Sequence, residues 1–189
     1  MVLRSPMPTA RYGLSAVQKN GIVYAIGGQT DSWERLNNVE SYNPATDTWT
    51  EKAPLLQGKS QLTLGVVGGI IVAADGYSSN GDTGDNEGYV AWANSWVKLA
   101  ADPTPRDGAG GRAIGTKLYV ASGYQDNGGS ALPLTEAFTI SNNTWATLAD
   151  APRATIWPGS AVYNTKLYCF GGAVSYYGSA VNNVQIYQP

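Results

Sequence analysis

Histidine is absent from this chain, and cysteine occurs once, at Cys169. Without an imidazole there is no common metal ligand, no side chain that titrates unaided near neutral pH, and no Ser-His-Asp triad. A single cysteine excludes an internal disulfide and a cysteine zinc cluster. Charge is also scarce. Lys and Arg number 12 and Asp and Glu 14, a net charge of −2 with no basic block, which argues against nucleic acid as a partner. No stretch approaches the ~20 apolar residues of a membrane-spanning helix. The opening Met1-Val2-Leu3-Arg4-Ser5-Pro6 lacks the apolar run of a secretion signal. Localisation is otherwise open.

What is abundant points one way. The 189 residues include 23 Gly, 12 Tyr and 6 Trp, with 43% hydrophobic residues. That composition suits one core built from short strands and tight turns.

The stretch Gly21-Ile22-Val23-Tyr24-Ala25-Ile26-Gly27-Gly28 recurs at 69–76, 116–123 and 165–172. Its closing glycines, Gly28, Gly76, Gly123 and Gly172, are 48, 47 and 49 residues apart, the mark of a repeat architecture. Each copy has the same plan. A Pro leads to a basic residue (Arg11, Lys59, Arg106 or Arg153), then to a strand of small residues. A tight turn, Asn20-Gly21 in the first copy, introduces the apolar strand, and Asn-Gly is a strong hairpin signal. After a polar loop comes a strand ending on Tyr42, Tyr89, Phe138 or Tyr187. In the first three copies Trp49, Trp96 and Trp145 follow seven residues later and open a fourth strand. These aromatics are expected in the core, filling the space between sheets. Cys169 aligns with Ala25, Ala73 and Val120 and is expected as a buried thiol.

Four antiparallel strands per period make one blade of a β-propeller. A Gly-Gly doublet after an apolar strand, an aromatic, and a Trp seven residues on resemble the kelch motif. The resemblance covers the whole chain in four copies, although Asp75 and Ser122 replace the first glycine of two doublets. It implies an all-β kelch-type propeller with four four-stranded blades, one domain over residues 1–189. The repeats run approximately over 5–52, 53–100, 101–149 and 150–189. Residues 1–4 would complete the last blade if the ring closes on itself. The alternative is an arc of a larger propeller, whose open sheet edges favour self-association.

The meander places the loops after the apolar strands, and those leading into the inner strands, on one face. The candidate binding residues there are Arg11, Trp33, Glu34, Arg35, Tyr77, Arg106, Tyr124, Arg153, Trp157, Tyr176 and Tyr177. Exposed aromatics beside arginines are typical of interface hot spots. The basic residues have a second reading: Glu40, Glu87 and Glu136 recur with the same period, as structural ion pairs would. No catalytic residue, metal or cofactor is expected. The loop Asp75, Asp82, Asp85, Glu87 lacks calcium-binding spacing and reads as solvated. Gly108 to Ala113 loosely fits a dinucleotide fingerprint but opens no helix. The resemblance implies a non-catalytic protein-interaction module. Its alternative is a carbohydrate-binding or mutarotase-like propeller, with Glu34 or Glu136 as acid and base.

Overall fold

The computed structural model describes residues 3–126 and 130–189, and among them every regular element is a β-strand. The first sheet is a meander of β1 (Ser15–Lys19), β2 (Ile22–Ile26), β3 (Val39–Asn43) and β4 (Thr48–Lys52). After the two-residue strand β5 (Lys59–Ser60) comes the second sheet. Its strands are β6 (Thr63–Val67), β7 (Ile70–Ala74), β10 (Glu87–Val90) and β11 (Ser95–Lys98). Between β7 and β10 lie the short strands β8 (Tyr77–Ser78), which pairs with β5, and β9 (Gly81–Asp82), which pairs with β8. The third sheet holds β12 (Gly110–Ile114), β13 (Lys117–Ala121), β14 (Thr135–Thr139) and β15 (Thr144–Thr147). The fourth holds β16 (Gly159–Tyr163), β17 (Lys166–Phe170) and β18 (Val184–Tyr187).

The four inner strands β1, β6, β12 and β16 neighbour one another in that order, so the sheets stand side by side like consecutive propeller blades. Small residues permit this approach. A Cβ on Gly65 of β6 would lie 2.7 Å from Leu118 Cδ1 and 2.8 Å from Ala113 Cβ of the next sheet. Hydrophobic layers fill the gaps between sheets. Tyr24, Ile26, Leu64, Tyr89 and Trp96 pack between the first and second, and Val72, Leu118, Val120 and Phe138 between the second and third. Tyr119, Ala137, Leu167 and Cys169 pack between the third and fourth. Burying each large side chain stabilises by roughly 1.5–3 kcal/mol. Cys169 is an unpaired, buried thiol whose pKa burial pushes up to about 11.

The aromatic-to-Trp spacing places the two rings opposite each other on neighbouring strands. Ring centroids are 5.0 Å apart in Tyr42–Trp49, 5.2 Å in Tyr89–Trp96 and 5.4 Å in Phe138–Trp145. Trp96 is buried, while Trp49 and Trp145 are only half-buried. Leu3 and Arg4 are exposed and lie outside any strand; Met1 and Val2 fall outside the described residues. The far face of the fourth sheet exposes Phe170, Val184 and Ile186.

Candidate functional site

The loop face is built from one small device repeated four times. The residue after each closing glycine, Gly28, Gly76, Gly123 or Gly172, is held by antiparallel bridges on both sides. Gln29 lies between Tyr12 and Arg35, Tyr77 between Ser60 and Asp82, Tyr124 between Asp107 and Ala131, and Ala173 between Ile156 and Ala180. The closing glycine makes the turn possible. At Gly76 φ is 112°, and a Cβ there would lie 2.6 Å from the Ser60 carbonyl oxygen. Its N–H crosses to the next repeat and donates to the Arg106 carbonyl at 2.9 Å; Gly28 and Gly123 do likewise to Lys59 and Thr155.

A second row runs across the repeats. Gln61 N–H donates to Gly13 O at 2.7 Å, Gly108 N–H to Gln61 O at 3.2 Å, and Trp157 N–H to Gly108 O at 2.7 Å. All four residues are left-handed, with φ of 63° at Gly13, 56° at Gln61, 58° at Gly108 and 54° at Trp157. Two repeats meet that demand with glycine. The other two hold a glutamine and a tryptophan there, at roughly 1–2 kcal/mol of backbone strain each. Their side chains meet: Trp157 Nε1–H donates to Gln61 Oε1.

Over this row lies a cleft of about 250 Å³ lined by Gln29, Trp33, Arg35, Gln61, Tyr77, Asp107, Tyr124, Asp126, Tyr176 and Tyr177. All four repeats contribute to it. Arg35 of the first repeat stacks its guanidinium 4.8 Å from the centre of the Tyr77 ring of the second. Tyr124 of the third sits 5.7 Å from Tyr176 of the fourth, which in turn packs on Trp157 and Tyr177 at 5.1 Å each. Asp126 N–H donates to Asp82 Oδ2 at 2.6 Å, joining the third repeat to the second. Trp33 and Tyr177 stand well out into solvent, 63% and 96% exposed.

Six of the eleven residues expected on this face therefore line the cleft: Trp33, Arg35, Tyr77, Tyr124, Tyr176 and Tyr177. Trp157 borders it through Gln61 and Tyr176, and Glu34 and Arg153 are exposed outside it. Arg11 and Arg106 lie beneath the face, with side chains at 0% exposure. Arg11 pairs with Glu40 at 3.0 Å, Lys59 with Glu87 at 3.4 Å, and Arg106 with Glu136 and Asp102. A buried charge needs such a partner. The fourth repeat obeys the same rule by dispensing with both charges. Thr155 occupies the basic position and Gln185 the acidic one, while Arg153 stays at the surface.

One expectation changes here. The acidic loop is not simply solvated: Asp75 and Glu87 are buried, drawn in by the buried cations Lys59 and Arg106. Glu34 and Glu136, either of which the sugar-modifying alternative could use as acid or base, do not line the cleft. Glu136 is instead committed to Arg106, with its pKa raised to about 7 by burial and by Asp102. No group of three or more metal-ligating side chains occurs among the described residues, and no helix there is long and apolar enough to cross a membrane.

Gln29, Gln61, Asp107 and Asp126 were not legible as site residues, since each is an ordinary loop residue in sequence. The usable signal was positional. Gln29 aligns with Tyr77 and Tyr124, and Asp107 directly follows Arg106. Asp107 is 3% exposed, and its pKa is raised to about 7, first by burial, then by the charges of Asp82 and Asp126.

Comparison with known proteins agrees with the repeat. The Kelch motif matches residues 10–56. Kelch-like protein 41a of Danio rerio is 29% identical over 118 residues, 62% of this chain and 20% of that protein. Kelch-like protein 40 of Mus musculus is 30% identical over 119 residues, 63% of this chain and 19% of that protein. Kelch-like protein 36 of Mus musculus is 36% identical over 102 residues, 50% of this chain and 17% of that protein. The chain thus matches about a fifth of the length of these relatives. Three four-stranded antiparallel sheets and a three-stranded fourth, the first of them matched by the motif itself, mark this as a kelch-repeat chain.

Proposed function

We propose that this chain is a non-catalytic protein-interaction module whose partner docks on the loop face, over the cleft. The observation that supports this most is the cleft's composition and origin. Exposed Trp33 and Tyr177, with Tyr176, Tyr124, Tyr77 and Arg35, come from four different repeats and converge on one concavity. Tyr, Trp and Arg dominate interface hot spots, and loops fixed by a rigid scaffold are where binding residues generally sit. At about 250 Å³ the cleft falls below the ~300–1,000 Å³ usual for small-molecule pockets, a size suited to a partner's side chain. The similarity to kelch-like proteins supports the same reading.

The test is the triple substitution Trp33→Ala, Arg35→Ala, Tyr177→Ala, scored on capture of a partner and on thermal unfolding. Loss of the partner with an unchanged midpoint is expected. A partner still bound at full strength places docking elsewhere.

A further inference from the structure

We infer that the cleft is a receptor for a cation, the ammonium or guanidinium group of a lysine or arginine side chain presented by the docked polypeptide. The inference rests on the docking proposal and adds the chemistry that the partner must bring.

Asp107 is the anchor. Its backbone is fixed against Tyr124 by a reciprocal pair of bonds: its N–H donates to Tyr124 O at 3.0 Å and its carbonyl accepts from Tyr124 N–H at 2.8 Å. Its carboxylate therefore has a set place in the cleft wall. Yet Asp107 Oδ1 is buried without a hydrogen-bond partner. Asp82 is half in the same condition: Oδ2 accepts from Asp126 N–H, while Oδ1 has no partner. Leaving a buried carboxylate oxygen unpaired is costly, and a cation that reaches it removes that cost.

The surrounding surface favours the same charge. Tyr77, Tyr124, Tyr176, Tyr177 and Trp33 present rings whose faces attract cations. The wall already holds one such contact: Arg35 lies over Tyr77 and donates to the Trp33 carbonyl. Arg35 forms no ion pair with Asp82, Asp107 or Asp126 among the described residues, which leaves Asp107 Oδ1 and Asp82 Oδ1 without a partner. Three carboxylates against one guanidinium leave the cleft negative, and an acidic peptide or a sugar acid would be repelled.

The test uses the whole chain and three acetylated pentapeptides, Gly-Ser-X-Ser-Gly, with Lys, Gln or Glu at X. The readout is carboxyl carbon resonances of the aspartates. The lysine peptide should bind at least tenfold more tightly than the other two and drive the Asp107 titration below its free value. Arg35→Gln, which removes the resident cation, should tighten lysine binding, and Asp107→Asn should abolish the preference for lysine. Equal affinity for the three peptides overturns the inference, as does weaker lysine binding by Arg35→Gln, a variant that is informative even if Asp107→Asn does not fold. The two proposals fail separately. Lysine preference in a protein whose triple variant keeps its partner overturns only the docking face. Partner loss without lysine preference overturns only the cation.

Discussion

The indole of Trp96 donates from Nε1 to the carbonyl oxygen of Ala53 at 2.8 Å, across the boundary between the first two sheets. The amide of the same alanine donates to Asn94 Oδ1 at 3.0 Å. One backbone residue leaving the first sheet is thus held at both polar atoms by the second. The arrangement recurs. Trp145 and Asn143 hold Ala100 at 2.8 Å each, and Trp49 and Asp47 hold Ser5 at 2.9 and 3.0 Å. Asp47, Asn94 and Asn143 are all left-handed, with φ of 54°, 46° and 54°, a conformation that Asn and Asp tolerate better than other side chains.

Replacing Trp96 with Phe keeps an aromatic ring near Tyr89 but removes the donor to Ala53. A loss of about 1–3 kcal/mol in urea unfolding is expected, the penalty of a polar group left unpaired. Asn94→Ala should cost a similar amount, and the double variant should depart from additivity because both groups act on one residue. An unchanged midpoint in Trp96→Phe would show the clasp to be idle.

The fourth repeat supplies a recipe for the first. Arg11→Thr alone strands Glu40 and should destabilise by about 3–5 kcal/mol, as removal of one partner of a buried pair does. Adding Glu40→Gln copies Thr155 and Gln185, and should recover most of that loss. Urea unfolding of the two variants decides the matter; a double variant no more stable than the single one would contradict it.

Burial of Asp107 makes stability depend on pH in a definite direction. Its folded pKa of about 7 lies above the ordinary 3.8. The folded state therefore binds the extra proton between those values, so stability is fully present below the ordinary pKa and falls as pH rises through about 7. Arg35 opposes the shift, and Asp82 and Asp126 reinforce it. Asp107→Asn should raise the thermal midpoint at pH 8 relative to the parent and leave it nearly unchanged at pH 4. The reverse order would mean the carboxylate is already paired.

Strain at the cleft floor gives a further expectation. Gln61→Gly relieves the left-handed backbone, adopts the residue found in two other repeats, and removes the acceptor for Trp157 Nε1. Loss of the bond should offset the relief to within about 1 kcal/mol. Trp157 fluorescence should shift as its indole loses that partner. An unshifted spectrum would contradict the Trp157–Gln61 contact.

Much of the fold was legible because it is written in fixed intervals. The spacing of seven from Tyr89 to Trp96 is the register of a hairpin, and the recurrence of Lys59 with Glu87 and of Arg106 with Glu136 is that of buried ion pairs. The aromatic part of the cleft was legible for the same reason, since topology assigns those loops to one face. Asp107 and Gln61 were not. Nothing local distinguishes a buried aspartate from a solvated one, and a left-handed glutamine resembles any loop residue. Asp75 reads as solvated in sequence for the complementary reason: the cation buried beside it is Arg106, 31 positions away, whose Nε lies 4.0 Å from it.

The docking face can be tested against its opposite. Trp33 borders the cleft, whereas Trp92, 91% exposed, sits in the turn between β10 and β11 on the other side of the sheets. With a photo-cross-linking phenylalanine analogue placed at 33 or at 92, a bound partner should be captured from position 33 and not from 92. Capture from 92 alone would contradict docking at the cleft.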